Sequence, residues 1–186
     1  MVQLAKSLQT SRLTLRRFEL DDLDDLALIV ADEGVNRYLY SEPRDRDAAM
    51  VMLQGLLDQP EETGDDNRLC VAVELIGERR VVGEFLLWWT KNDHRQGEMG
   101  GSLHPDFHGR GFASEVYAEL LHLAFTDFAL HRVVGRCDAR NRPSIRSLEK
   151  VGMRQEAHFV ENEWVKGEWT DEIVMALRKE EWERRR

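Results

Sequence analysis

The stretch His104-Pro105-Asp106-Phe107-His108-Gly109-Arg110-Gly111-Phe112-Ala113 decides how this chain folds. A strand-like run, Gln96 to Leu103, leads into it, and a helical run from Phe112 to Leu130 follows at once. Two glycines one residue apart at a strand-to-helix junction let the backbone curl so that several N–H groups point inward. Those donors, with the positive end of the helix dipole behind them, make an anion site suited to phosphate. Arg110 adds a mobile cation. On loop chemistry alone, an ordinary glycine turn capping the helix is an equally good reading.

Other phosphate loops are excluded by their patterns. The chain has no G-x-x-x-x-G-K-[ST], the form whose lysine and hydroxyl serve a nucleotide triphosphate. A dinucleotide fingerprint follows the first strand of a βαβ unit and ends in Gly or Ala. Gly109-Arg110-Gly111-Phe112-Ala113-Ser114 lies mid-chain and ends in Ser.

Outward from the loop, the elements read in order. Leu13 to Phe18 is a strand, and Asp21 to Ala31 a helix with Leu23, Leu26, Ala27 and Val30 on one face. Asp45 to Gln59 is a second helix, with Ala49, Met52, Leu53 and Leu56 together, and Pro60 to Asn67 a polar loop. Arg68 to Ile76 and Val81 to Thr90 are strands around a turn at Gly77, and Lys91 to Arg95 turns into Gln96 to Leu103. After the long helix, His131 to Asp138 is a strand, and Pro143 opens a helix that Gly152 closes. Met153 to Val165 and Trp169 to Leu177 form a last antiparallel pair, and Lys179 to Arg186 is a solvated terminal helix.

The 186 residues suffice for one α/β domain, 1–186, with a sizeable core. No apolar run reaches membrane-spanning length, and the N-terminal stretch lacks a signal-peptide apolar core, so no membrane partner is expected. Cys70 and Cys137 sit in strand-like apolar runs and read as reduced core residues, which places the chain in the cytoplasm. A net charge of −9 argues against nucleic acid, which needs a cationic face, and suits a cationic acceptor. The six histidines show no H-E-x-x-H or other metal spacing, so no metal is expected.

The order of elements and three local stretches resemble one family. His108 to Ala113 is similar to Q/R-x-x-G-x-G/A, the acetyl-CoA loop of the GNAT acetyltransferases, everywhere except its first residue. Thr10-Ser11-Arg12-Leu13-Thr14-Leu15-Arg16 and Glu98-Met99-Gly100 with Leu103-His104-Pro105 resemble the RimJ and RimL branch of ribosomal-protein N-terminal acetyltransferases. So does Asn141-Arg142-Pro143-Ser144-Ile145-Arg146-Ser147-Leu148-Glu149-Lys150-Val151-Gly152-Met153, and Asp171 falls where that branch has an aspartate in its last strand. Departures are His108 for Gln or Arg, Gly101 for Tyr, Met153 for Phe, and Leu148 where many GNAT enzymes carry a Tyr that protonates the leaving thiolate.

The resemblance implies a single-domain α/β (α+β) GNAT fold. Its mixed sheet of about seven strands, flanked by about four helices, is splayed between strands 4 and 5, counting from Leu13. It implies acetyl-CoA as co-substrate and direct attack by a primary amine, a peptide N-terminus or a small cationic amine. His108, Gly109, Arg110, Gly111, Phe112 and Ala113 would hold the pyrophosphate, and Asn141 the pantetheine arm. Glu98 would be the base, directly or through water, and Ser144 the acid near the thiol. Against these stand a structural Glu98, a Ser144 that caps its helix and an Asn141 that satisfies its own loop. A backbone N–H near Leu103 would stabilise the oxyanion, with Gly100-Gly101 forming a bulge that frees it. A homodimer through edge strands is expected. The alternatives are an enzyme for aminoglycosides or polyamines, and an acyl-CoA-binding module without turnover.

Overall fold

The computed structural model describes residues 7–58, 66–90 and 95–185. The strands are β1 (Leu8–Gln9), β2 (Leu13–Arg16), β3 (Asp66–Leu75), β4 (Val81–Thr90), β5 (Gln96–Leu103), β6 (Arg132–Asp138), β7 (Arg154–Val165) and β8 (Glu168–Arg178). The helices are α1 (Leu23–Ala31), α2 (Glu33–Asn36), α3 (Arg46–Leu57), α4 (Phe112–Thr126), α5 (Arg142–Lys150) and α6 (Lys179–Glu183). One sheet holds all eight strands in the order β1-β2-β3-β4-β5-β6-β8-β7. The seven expected strands are present, and the eighth is the two-residue β1.

Strand alternation divides the apolar residues between two faces. Val71, Val73, Phe85, Leu87 and Met99 pack with α4 and α5. Ala72 and Val81 pack with α1 and α3, through Leu26, Ile29, Ala49 and Leu53. Caps fix the helix starts: Asp45 accepts from Ala48 N at 2.8 Å, and Asp32 from Val35 N at 2.8 Å.

Several element bounds differ from the sequence reading, two of them by more than fraying. The helix expected from Asp21 begins as a 3-10 turn, Leu20–Asp22, because the Asp22 carboxylate accepts from Arg16 (2.7 and 2.8 Å) and from Glu19 N (2.7 Å). The helix expected to reach Leu130 stops at Thr126. Ala129 turns left-handed (φ 51°), so that Phe128 stacks on Trp89 at 4.2 Å and Leu130 enters the core. The short α2 was not expected. Most of Pro60–Asn67 and Lys91–Arg95 lies outside the described residues.

All neighbouring strands are antiparallel except β5 and β6. Those two are parallel and pair only over Gln96–Glu98 with Arg132–Val134. Beyond Glu98 they diverge, and this splay, at the expected place, opens the sheet. The expected Gly100-Gly101 bulge is absent: β4 and β5 pair without a register shift from Gly83↔Leu103 to Trp89↔Gly97. Gly101 serves packing instead, since a Cβ there would lie 2.4 Å from Phe85 Cγ and 2.7 Å from the Glu84 carbonyl oxygen.

Candidate active site

The loop between β5 and α4 has the backbone its glycines suggested. Gly109 (φ 73°) and Gly111 (φ 81°) are both left-handed, and Gly111 caps α4. A Cβ at either would strain the turn. The loop is braced from behind. Glu115, in the first turn of α4, accepts from Thr10 Oγ1 (2.6 Å), Ser11 Oγ (2.9 Å), Arg12 N (3.0 Å) and Arg12 Nε (2.8 Å). Burial works to raise the Glu115 carboxyl, but these hydrogen bonds outweigh it and hold it below its usual value. Arg12 Nη1 also donates to the Arg110 carbonyl at 2.9 Å, and its guanidinium covers the Phe112 ring at 4.5 Å.

His108 turns inward onto its own loop. Its Nε2 lies 2.8 Å from the Leu103 carbonyl, which can only accept, so Nε2 carries the proton. Arg110 lies over the Phe107 ring at 5.2 Å. Phe112 is buried and Ala113 partly so, and both face the cavity beside the loop.

Two cavities meet at the splay. The larger, about 320 Å³, runs from Gly109, Gly111 and Ser114 past Arg146 and Lys150. The smaller, about 120 Å³, is walled by Tyr40, Arg136, Glu163, Asp171 and Glu172. Tyr38, Leu39, Gly101, Tyr117, Asn141 and Ser144 belong to both walls, so the junction lies between these residues. His104 N donates to the Val82 carbonyl at 2.8 Å. By the alternation of an antiparallel ladder, the Leu103 and Gly101 amides then point away from β4, into the gap.

Asn141 Oδ1 caps α5 by accepting from Ser144 N at 3.2 Å. The Ser144 hydroxyl is therefore not the cap. Ser144 and Tyr117 line both cavities, and Cys137 lines the smaller one. Burial pushes the Tyr117 phenol above its usual range and the Cys137 thiol up to about 11, so both stay protonated at neutral pH. Leu148 is buried against Gly135, where a Cβ would lie 2.9 Å from its Cδ1.

Glu98, the expected base, is not on the wall of either cavity; it contacts Arg136, which is on the wall of the smaller one. Arg136 Nε lies 3.4 Å from Glu98 Oε2, and Arg136 Nη1 lies 3.0 Å from Glu172 Oε2. Burial raises the Glu98 carboxyl above the usual glutamate range; Arg136 opposes the shift and Glu172 adds to it. Asp171 accepts from Glu161 N (2.9 Å) and pairs with His158 Nε2 (2.8 Å). Trp164 and Trp169 pack on each other at 5.3 Å, while Glu163 and Val165, the neighbours of Trp164 in β7, face the cavity.

Sequence reasoning missed Tyr117, Arg136 and Glu172. The helical face containing Tyr117 was readable, but its place with Ser144 on the shared wall depends on how α4 and α5 converge. Cys137, expected in the core, reaches the cavity wall.

Residues 12–154 match the model of the acetyltransferase (GNAT) domain. The N-acetyltransferase p20 of Bacillus licheniformis is 32% identical over 178 residues, 95% of this chain and 98% of that protein. Spermidine N(1)-acetyltransferase of Vibrio cholerae is 24% identical, covering 87% of this chain and 90% of its own. The crystal structure of a GNAT-family acetyltransferase from Bacillus anthracis superposes with a TM-score of 0.83 at 26% identity, over 94% of this chain and 99% of the other. Mycobacterium smegmatis RimJ, solved with CoA-disulfide, gives 0.78 at 24% identity, over 91% and 83%.

Proposed function

The chain belongs to the GNAT acetyltransferase family, and from that premise we propose that it acetylates the α-amine of a peptide N-terminus. It is an acetyl-CoA-dependent N-acetyltransferase. The residues present fit the co-substrate. Two left-handed glycines at the start of α4 aim amides at a pyrophosphate, and the larger cavity leads from there to Asn141 and Ser144. Asn141 uses Oδ1 for its cap, which leaves its Nδ2 for the amides of the pantetheine arm. The Leu103 amide faces the place where the thioester oxygen gains charge.

The observation that carries the acceptor assignment is the Arg136 guanidinium on the wall of the smaller cavity, tied to Glu98 and Glu172. Its donor fork suits a peptide carbonyl. It also tempers Glu98 as a base, which matters little to an α-amine with a pKa of about 7.7–8.0 and much more to a lysine amine near 10.4. Glu98 takes the amine proton through a water, because it lines neither cavity and meets the smaller one through Arg136. The resemblance of Thr10–Arg16 and Asn141–Met153 to the RimJ and RimL branch supports the same acceptor.

A second reading is a polyamine acceptor, favoured by Glu163, Asp171 and Glu172 on one cavity wall and by the spermidine-acetylating relative. Acetyl-CoA offered with N-terminal peptides, spermidine and an aminoglycoside separates the two. The expected products are peptides acetylated at the α-amine, located by mass spectrometry. Turnover of spermidine alone, with peptides untouched at high enzyme concentration, would reject the peptide assignment.

A further inference from the structure

We infer that Lys166 is a positioning residue for the acceptor: its ammonium ties the tip of the β7–β8 hairpin to the turn after α2 and so sets the width of the smaller cavity. The inference rests on the reading of that cavity as the acceptor site. Two of its walls come from distant parts of the chain. Tyr38, Leu39 and Tyr40 form one, and Glu163 and Val165 of β7 form the other. Lys166 Nζ spans them, donating to the Asn36 carbonyl at 2.6 Å across 130 residues of sequence. Glu42 Oε2 lies 4.0 Å from the same ammonium.

Local backbone does not account for a lysine at this place. Val165 pairs with Glu168, so Lys166 and Gly167 are the two central residues of the hairpin turn. Both are left-handed, at φ 51° and 85°. A hairpin turn with both central residues in that region is type I′, and it favours Asn, Asp or Gly at the first of them. A lysine with positive φ is uncommon and costs conformational energy. What Lys166 has, and Asn lacks, is a side chain long enough to reach Asn36. It is held there: the side chain is 23% exposed although it stands at a hairpin tip.

The receiving end is fixed as well. The Asn36 carbonyl also accepts from Leu39 N at 3.0 Å, so one oxygen closes the turn that brings Leu39 to the cavity and receives the lysine. Its two lone pairs suffice for both. Asn36 is buried. Its Nδ2 donates to the Val30 and Asp32 carbonyls at 2.8 and 2.9 Å, and its Oδ1 accepts from Ser41 Oγ at 3.2 Å. The segment Tyr38–Tyr40 is therefore slung between Asn36 and Ser41. A charged donor makes the stronger kind of hydrogen bond, so Lys166 can clasp two walls that no strand pairing joins.

The clasp acts on the acceptor. The amine must reach the acetyl carbon in one orientation, and a wall displaced by about 1 Å is enough to cost a large factor in rate. Tyr40 shares the electrostatic surroundings of the charged wall: burial, then the charges of Glu163 and Glu172, raise its phenol above the ordinary value. The pyrophosphate end, at Gly109 and Gly111, lies in the larger cavity and is braced by Glu115 and Arg12. Loosening the clasp therefore lowers acceptor turnover and spares CoA affinity.

The test is Lys166→Asn, which suits the turn and cannot reach Asn36. Its melting temperature should be unchanged or higher. Hydrogen exchange at the Tyr38–Ser41 amides should quicken. Acceptor kcat/KM should fall by on the order of tenfold, mainly through KM, with the Kd for CoA unchanged. Lys166→Arg keeps a long cationic side chain and should restore both the slow exchange and most of the turnover. The kinetics use whichever acceptor, N-terminal peptide or spermidine, the unaltered protein turns over. An error in the peptide assignment then shows in the unaltered protein, and a failure of the clasp only in the variants. Unchanged exchange in Lys166→Asn would overturn the inference. So would faster exchange with unchanged acceptor kinetics, and so would a joint fall in melting temperature and CoA affinity, which would mark a general structural role.

Discussion

Glu115 holds Arg12 by three contacts, to its backbone N (3.0 Å), its Nε (2.8 Å) and its Nη2 (2.6 Å), across 103 residues of sequence. The pair fastens the foot of β2 to the helix that begins at the Gly109–Gly111 loop. Glu115→Gln keeps the shape and weakens the charge-assisted bonds. CoA should bind more weakly, by about threefold to tenfold, with a small change in melting temperature. Calorimetric titration with CoA checks it, and an unchanged Kd would mean that the loop holds itself.

Gly111→Val forces a β-branched residue to φ 81° and brings a side chain to the pyrophosphate position. CoA affinity should fall well over tenfold while the fold survives. Arg110→Ala should cost less, because its guanidinium already rests on Phe107. Equal losses in the two variants would contradict the primacy of the backbone donors.

The pH profile tests Glu98. Its carboxyl is raised by burial, so a base role is lost as pH falls through a value above the ordinary glutamate of about 4.3. Arg136 holds that value down, so Arg136→Met should move the acid limb of kcat to higher pH. Glu98→Gln should lower kcat at neutral pH with little change in CoA affinity, by up to about 10²-fold, and less as free amine becomes abundant. A loss that does not vary with pH would make Glu98 structural.

Gly101 is a packing residue, so Gly101→Ala should destabilise the fold by about 1–3 kcal/mol through overpacking against Phe85. Phe85→Leu in the same chain should recover part of it in a denaturant titration. No recovery would point to the Glu84 carbonyl, 2.7 Å from the added Cβ, as the obstacle.

The left-handed turns of the loop before α4 were legible because Gly109 and Gly111 sit between a strand and a helix, and local sequence decides local backbone. The mixed sheet and the splay were legible through resemblance, and the parallel β5–β6 pairing bears the splay out. Distant convergence was not legible. Tyr117 and Ser144 share a cavity wall only because α4 and α5 pack together, and Arg136 bridges Glu98 and Glu172 from three different strands. The bulge assigned to Gly100-Gly101 failed because a glycine pair signals either backbone freedom or a large neighbour, and Phe85 is that neighbour.

The central claim is acetyl transfer from CoA to a peptide α-amine in the gap between β5 and β6. Two peptides of one lysine-containing sequence, with a free and a formylated N-terminus, test it most directly when each is incubated with acetyl-CoA and the enzyme. The account predicts one thiol released per acetyl group on the free α-amine, and no turnover of the blocked peptide. Equal turnover of the blocked peptide through its lysine, or CoA binding with no thiol released from either, would contradict it.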